Sequence, residues 1–177
     1  MSRIEPPDSH HCSAAIGWLE LGNADEALAD LHRVSARNRH HPDVLEIRWA
    51  VLAHQKDWTA ALEAARTILR VSPKRSSGWL HCAYALRRVP EGGLQAAWDA
   101  LLPAFIKFPE EPVIPFNLAC YACQLDRLDD ARVWLDRAFQ IGSEADIRDM
   151  ALHDADLKPL WDEIRKRPRR KKQSSVA

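Results

Sequence analysis

Residues 112–142 read PVIPFNLACYACQLDRLDDARVWLDRAFQIG. Two helical patterns share this stretch, one over 113–125 and one over 128–141, separated by a short turn at Asp126. Leu118, Ala119, Leu128, Ala131, Leu135 and Ala138 alternate bulky and small side chains along the faces that would meet. Alanine at such a contact lets two helix axes approach to about 8–10 Å. Proline at a first helical turn is tolerated, because its missing N–H would have had no intrahelical partner there. One helix pair of this size cannot bury its apolar face alone, so the stretch predicts neighbours of the same kind.

Those neighbours are present at a fixed step. Ala27, Ala61, Ala97 and Ala131 are spaced by 34, 36 and 34 residues; Ala15, Trp49, Ala83 and Ala119 by 34, 34 and 36; Gly22, Lys56, Gly92 and Asp126 by 34, 36 and 34. The two extra residues therefore fall between Ala83 and Gly92, where Val89-Pro90-Glu91-Gly92-Gly93 forbids helix by composition. A period of this length marks stacked helix pairs. The register predicts helices near 10–21, 25–38, 42–55, 58–71, 76–88, 93–107, 113–125 and 128–141. No segment alternates apolar and polar residues between hairpin turns, so no sheet is expected.

At these positions the chain resembles the tetratricopeptide repeat (TPR) family over residues 9–141. The second unit supplies Asp57-Trp58, Ala61 and Pro73 but has Trp49 in place of a small residue, the third supplies Trp79 and Ala83, and the first has Gly22 and Ala27. The resemblance implies an all-α, right-handed solenoid of about four helix pairs (9–41, 42–75, 76–111 and 112–142) plus a C-terminal helical cap at 143–164. Ser143 is a candidate N-cap for the first capping helix. Leu157, Leu160, Trp161 and Ile164 recur at helical spacing in the second, which would cover the flank of the fourth unit.

The two ends read differently from the body. Residues 1–8 contain prolines and acids and are expected to be disordered. Residues 165–172 (Arg-Lys-Arg-Pro-Arg-Arg-Lys-Lys) hold 7 of the 25 Lys and Arg, so residues 1–164 keep the other 18 against all 25 Asp and Glu, a net of −7. Residues 165–177 are expected to be a disordered basic tail, and only 165–172 suits nucleic acid or an acidic surface. No apolar run approaches the ~18 residues of a membrane helix, and no leader is visible. Four cysteines embedded in helical patterns do not make a disulfide scaffold, so a reducing cytoplasm is expected.

The resemblance also places the functional surface. First helices of successive units line a concave groove, which here would present Cys12, Ile16 and Leu19, then Glu46, Ala50 and His54, then Leu80, Tyr84, Arg87 and Arg88, and finally Phe116, Cys120, Cys123 and Gln124. Tyr84 and Phe116 are the expected aromatic anchors. The clamp of lysine, asparagine and arginine with which some relatives grip chaperone carboxylates is absent, its places reading Cys12, Ile16, Ile47, Ser77 and His81. Without those cations a terminal carboxylate loses its charge-assisted hydrogen bonds. The expected function is a scaffold or adaptor holding a peptide or helix of a partner protein. The alternative is a client-holding chaperone resembling the type III secretion translocator chaperones, suggested by Pro112-x-x-Pro115-Phe116.

No catalytic residue, cofactor or metal is expected. Cys120-x-x-Cys123, with Cys12, His81 and Cys82 on neighbouring helices, raises zinc or redox chemistry, but a structural zinc site normally pairs two such clusters. Adjacent histidines such as His10-His11 and His40-His41 point about 100° apart on a helix and suit two-ligand binding poorly. Asp129-Asp130 and Asp154-Asp156 sit at helix starts, where carboxylates favour the macrodipole. There is no glycine-rich phosphate loop or nucleophile motif.

Overall fold

The computed structural model describes residues 3–168, and among them every regular element is helical. Eight helices follow the repeat: α1 (Asp8–Glu20), α2 (Ala24–Arg33), α3 (Pro42–His54), α4 (Trp58–Val71), α5 (Ser76–Leu86), α6 (Leu94–Lys107), α7 (Val113–Gln124) and α8 (Leu128–Ile141). Two more, α9 (Glu144–His153) and α10 (Trp161–Lys166), flank a 3₁₀ turn at Ala155–Leu160. The chain divides into two compact units, Met1–Ala100 and Leu101–Ala177, with the boundary inside α6.

The alanines that set the register are where close helix contact requires them. Ala27, Ala61, Ala97 and Ala131 are fully buried, as are Ala15, Ala83 and Ala119. Trp49, the exception in that second series, is half-buried.

The turns within the pairs repeat in atomic detail. Gly22, Lys56 and Asp126 each take a left-handed backbone, with φ of 76°, 61° and 59°. The following residue then closes a six-residue loop, Asn23 to Trp18 at 2.8 Å, Asp57 to Leu52 at 3.0 Å and Arg127 to Ala122 at 2.8 Å, which satisfies a carbonyl in the last turn of the first helix. Asn23 and Asp57 next cap the second helix, accepting from the backbone N–H of Glu26 and Ala60. The third turn is the longer one, as the spacing predicts, and its left-handed residue is Gly93 at φ 117°, one position later than Gly92. Gly92 is needed for a different reason, since a Cβ there would lie 1.8 Å from the Leu86 carbonyl oxygen.

In the first unit, Val34, Val44, Leu31 and Val51 fill the space between α1, α2 and α3, and Ala61, Ala65, Cys82 and Ala85 that between α4 and α5. Two buried carboxylates tie its N-terminal end. Asp8 accepts from Ser35 N–H at 2.9 Å, Ser35 Oγ at 2.5 Å and Asn38 Nδ2 at 2.7 Å. Asp30 accepts from His11, Trp18 Nε1 and Arg33. The expectation of disorder over residues 1–8 is corrected for its described part: Ile4 packs on the core and Asp8 opens α1, because three donors hold its carboxylate, while residues 1 and 2 lie outside the described residues. Helix α2 ends at Arg33 rather than near 38, since Asp8 takes up the N–H and hydroxyl of Ser35 in the turn that follows.

In the second unit, Phe105 meets Trp134 edge-on at 5.0 Å, and the cap closes over the last repeat. Leu157, Leu160, Ile164 and Ile147 are buried there, while Ser143 occupies the N-cap of α9 without making the side-chain bond. The start of the basic segment is anchored, correcting the expectation for 165–167: α10 runs to Lys166, Arg167 pairs with Asp136, and Arg148 donates to the Ile164 and Arg167 carbonyls. Residues 169–177, the rest of the expected tail and of its basic run, lie outside the described residues.

Candidate partner-binding surface

Ser77, His81, Tyr84 and Arg88 follow one another at steps of four, three and four, so they share one face of α5 and its C-terminal turn. Glu46, Trp49 and Ala50 share the corresponding face of α3. These two faces meet in one cluster. Ser77 Oγ donates to Glu46 Oε1 at 2.5 Å and His81 Nε2 to Glu46 Oε2 at 2.5 Å. The His81 ring stacks on Trp49 at 3.7 Å, with 12° between the planes. Tyr84 stands edge-on to Trp49 and tilted against Trp58, each at 5.8 Å. The Arg88 guanidinium lies 3.6 Å from the centre of the Tyr84 ring and 5.0 Å from that of Trp58, and donates to the Tyr84 carbonyl at 2.8 Å.

The electrostatics follow from these contacts. Burial opposes ionisation of Glu46, but hydrogen bonds from His81 and Ser77 and the charges of His81 and Arg75 outweigh it, so its pKa lies below the ordinary value. Glu46 therefore spends its charge inside the cluster. Arg88 has only stacking and backbone contacts, and no carboxylate pairs with it among the described residues. Tyr84 is 38% exposed. The outcome is a packed aromatic cluster with a cation stacked on it.

The other expected groove residues divide by unit. In the first, Ile16 is 45% exposed and His54 is exposed, while Ala50, Leu80 and Arg87 are half-buried. Cys12 is buried and Leu19 packs on the same core, so both belong to the interior. In the second, Phe116, Cys120 and Cys123 are all buried, because the capping segment lies against α7. Cys120 Sγ reaches Asp154 at 3.6 Å, and Gln124, still exposed, donates to the Asp156 carbonyl at 3.4 Å. Phe116 is thus a core residue and not an open anchor.

The thiols are inert by environment. Burial pushes Cys82 and Cys123 up to about 11, and burial together with Asp154 and Asp156 raises Cys120 well above the usual thiol range. Among the described residues no group of three or more His, Cys, Asp or Glu is arranged to hold a metal ion. No helix there is long and apolar enough to cross a membrane.

Sequence reasoning missed Trp49 and Trp58 as members of this surface, and it read Ser77 and His81 only as places of an absent clamp. Their signal was present: Trp49 stands where the other units carry alanine, and Ser77 and His81 are one helical turn apart.

An all-α array of helix pairs, each with a left-handed turn and a buried alanine contact, is the tetratricopeptide-repeat fold, and the chain has it. Solved structures agree. A thermophilic TPR protein of Thermus thermophilus superposes with a TM-score of 0.70 at 19% identity, covering 89% of this chain and 82% of that one. The MamA protein gives 0.63 at 17% identity, covering 90% and 86%, and a MamA RS-1 double mutant gives 0.64 at 17%, covering 78% and 76%. By sequence, no protein-family model and no curated protein matches the chain, so the likeness is one of fold.

Proposed function

We propose that this protein is a scaffold or adaptor that binds a peptide or amphipathic helix of another protein on the face formed by α3 and α5, with Tyr84 and Arg88 as anchors. The observation that carries the reading is the half-exposed Tyr84 ring held between Trp49 and Trp58, with the Arg88 guanidinium stacked on it and no carboxylate partner for it among the described residues. An aromatic already immobilised by its neighbours loses little entropy on binding. An arginine already placed on a ring is ready for a two-pronged bond to a carboxylate. The preferred ligand is therefore an apolar side chain next to an acidic one. Trp49 points the same way, because its Nε1 is buried without an acceptor, an arrangement that lowers stability and needs another reason.

The reading is non-catalytic, and a reducing cytoplasm suits four free thiols. It is tested by selecting ligands from a displayed peptide library and measuring the winners against Tyr84→Ala and Arg88→Gln. Each substitution is expected to weaken binding by about 1–3 kcal/mol while leaving helicity intact. Unchanged affinity in both variants moves the site off this face. Winners with no shared sequence, together with suppressed aggregation of an apolar client, would favour the chaperone reading instead.

A further inference from the structure

On α3, Leu45, Arg48 and Leu52 lie at about 260°, 200° and 240° around the helix when Glu46 is set at zero and Trp49 falls at about 300°, which places them on a flank about a quarter-turn from the face that carries Glu46 and Trp49. There they line a cavity of about 440 Å³ with residues of α2, the following loop and α4. Its floor is apolar, formed by Leu28, Leu45, Leu52 and Ala64. Its cationic groups are Arg39 and Arg48, with the His32 and His40 side chains beside them. The single acid on the wall, Glu63, is held by Arg66 at 2.5 Å.

Two arginines share this space without a counter-ion. Arg39 uses its Nε on the Val34 carbonyl at 3.1 Å, and Arg48 has no hydrogen-bond or ion-pair partner among the described residues. Arg48 is half-buried, and burial together with the charge of Arg39 makes it a weaker base than an ordinary arginine. Desolvating one guanidinium beside another works against folding, and no counter-charge among the described residues offsets it. A charge pair of this kind is satisfied by an anion from outside.

We propose that this cavity is a second binding site, separate from the peptide face, and that it takes a phosphate monoester carrying an apolar body. Two guanidiniums match a dianion, and each presents the planar fork that phosphate oxygens accept. A carboxylate would leave one of the two charges unmet. The leucine floor accounts for the apolar body, which a free phosphate ion lacks.

The test uses the full chain, with binding followed by calorimetry and ligand-observed NMR for inorganic phosphate, phenyl phosphate, phenylacetate and a phosphotyrosine peptide. Phenyl phosphate is expected to bind saturably and more tightly than either inorganic phosphate or phenylacetate. Arg48→Gln and Arg39→Gln should each weaken it by about tenfold or more, whereas Arg137→Gln, an exposed arginine of α8, should not. The ligand-free Arg48→Gln variant should melt no lower than the wild type, since it sheds a repulsion; a structural arginine would show the reverse. If the phosphopeptide binds more tightly than phenyl phosphate, the monoester comes from a modified protein, and if not, from a small molecule. Equal affinity for phenylacetate and phenyl phosphate would overturn the proposal, as would an Arg48→Gln variant that melts lower and binds phenyl phosphate unchanged.

Discussion

Asp8 illustrates how much one side chain can decide at the N-terminus. The hydroxyl and backbone N–H of Ser35, with help from Asn38, hold its pKa down at about 2 from an ordinary 3.8. A carboxylate whose folded pKa is depressed stabilises the fold fully above its unfolded value and loses that effect as pH falls towards the folded value. Asp8→Asn should therefore be less stable than the wild type at pH 6, with the gap closing between about pH 4 and pH 2, as urea denaturation at several pH values will show. Nothing in the sequence marked this residue, because its three bonds come from positions 27 and 30 residues away and outside any periodic pattern. The cysteines are a similar case. Helical spacing put Cys120 and Cys123 on the first-helix face of their repeat, but only the fold brings Asp154 onto Cys120. Since all four thiols are buried and their pKa values are raised, a thiol reagent at pH 7 should react with none of them at the rate of a free cysteine, and with all four once urea unfolds the chain. Fast labelling of the native protein would contradict these environments.

At the scale of elements, the sequence was most legible where geometry forces composition. Two helices meeting at an alanine leave no room for more, and the recurrence of Ala27, Ala61, Ala97 and Ala131 marks the pairs in the sequence itself. Ala131→Leu should cost about 1–3 kcal/mol through overpacking, while the same change at exposed Ala145 on α9 should do little. Equal melting temperatures would place Ala131 outside a helix contact. The turns were legible for the same reason, with the added point that Lys56 and Asp126 hold a backbone conformation that glycine takes without strain. Lys56→Gly should accordingly raise stability by about 1 kcal/mol, read from the denaturation midpoint, and a loss would mean that its side chain contributes more than the strain removes. The third turn was located correctly but its left-handed residue was not. Either glycine fits the spacing, and only the close approach of the Leu86 carbonyl to Gly92 assigns the roles.

For the whole molecule, periodicity delivers the number of helix pairs and the presence of a cap, yet it is silent about which surface the cap covers. That contact is made once, by non-repeating residues such as Leu157 and Asp154, so no pattern announces it. The consequence for function is direct: the face of α7 that holds Phe116, Cys120 and Cys123 is closed, and the open first-helix surface with Tyr84 and Arg88 belongs to residues 1–100. The central claim is that a peptide ligand docks on that surface, and a photo-crosslinking amino acid placed at single sites tests it most directly. With a library-selected peptide, the probe at exposed His54, on the α3 face, should form a crosslink that excess unlabelled peptide abolishes. The same probe at exposed Glu26 on α2 should form none. Competed crosslinking at Glu26 with none at His54 would contradict the account.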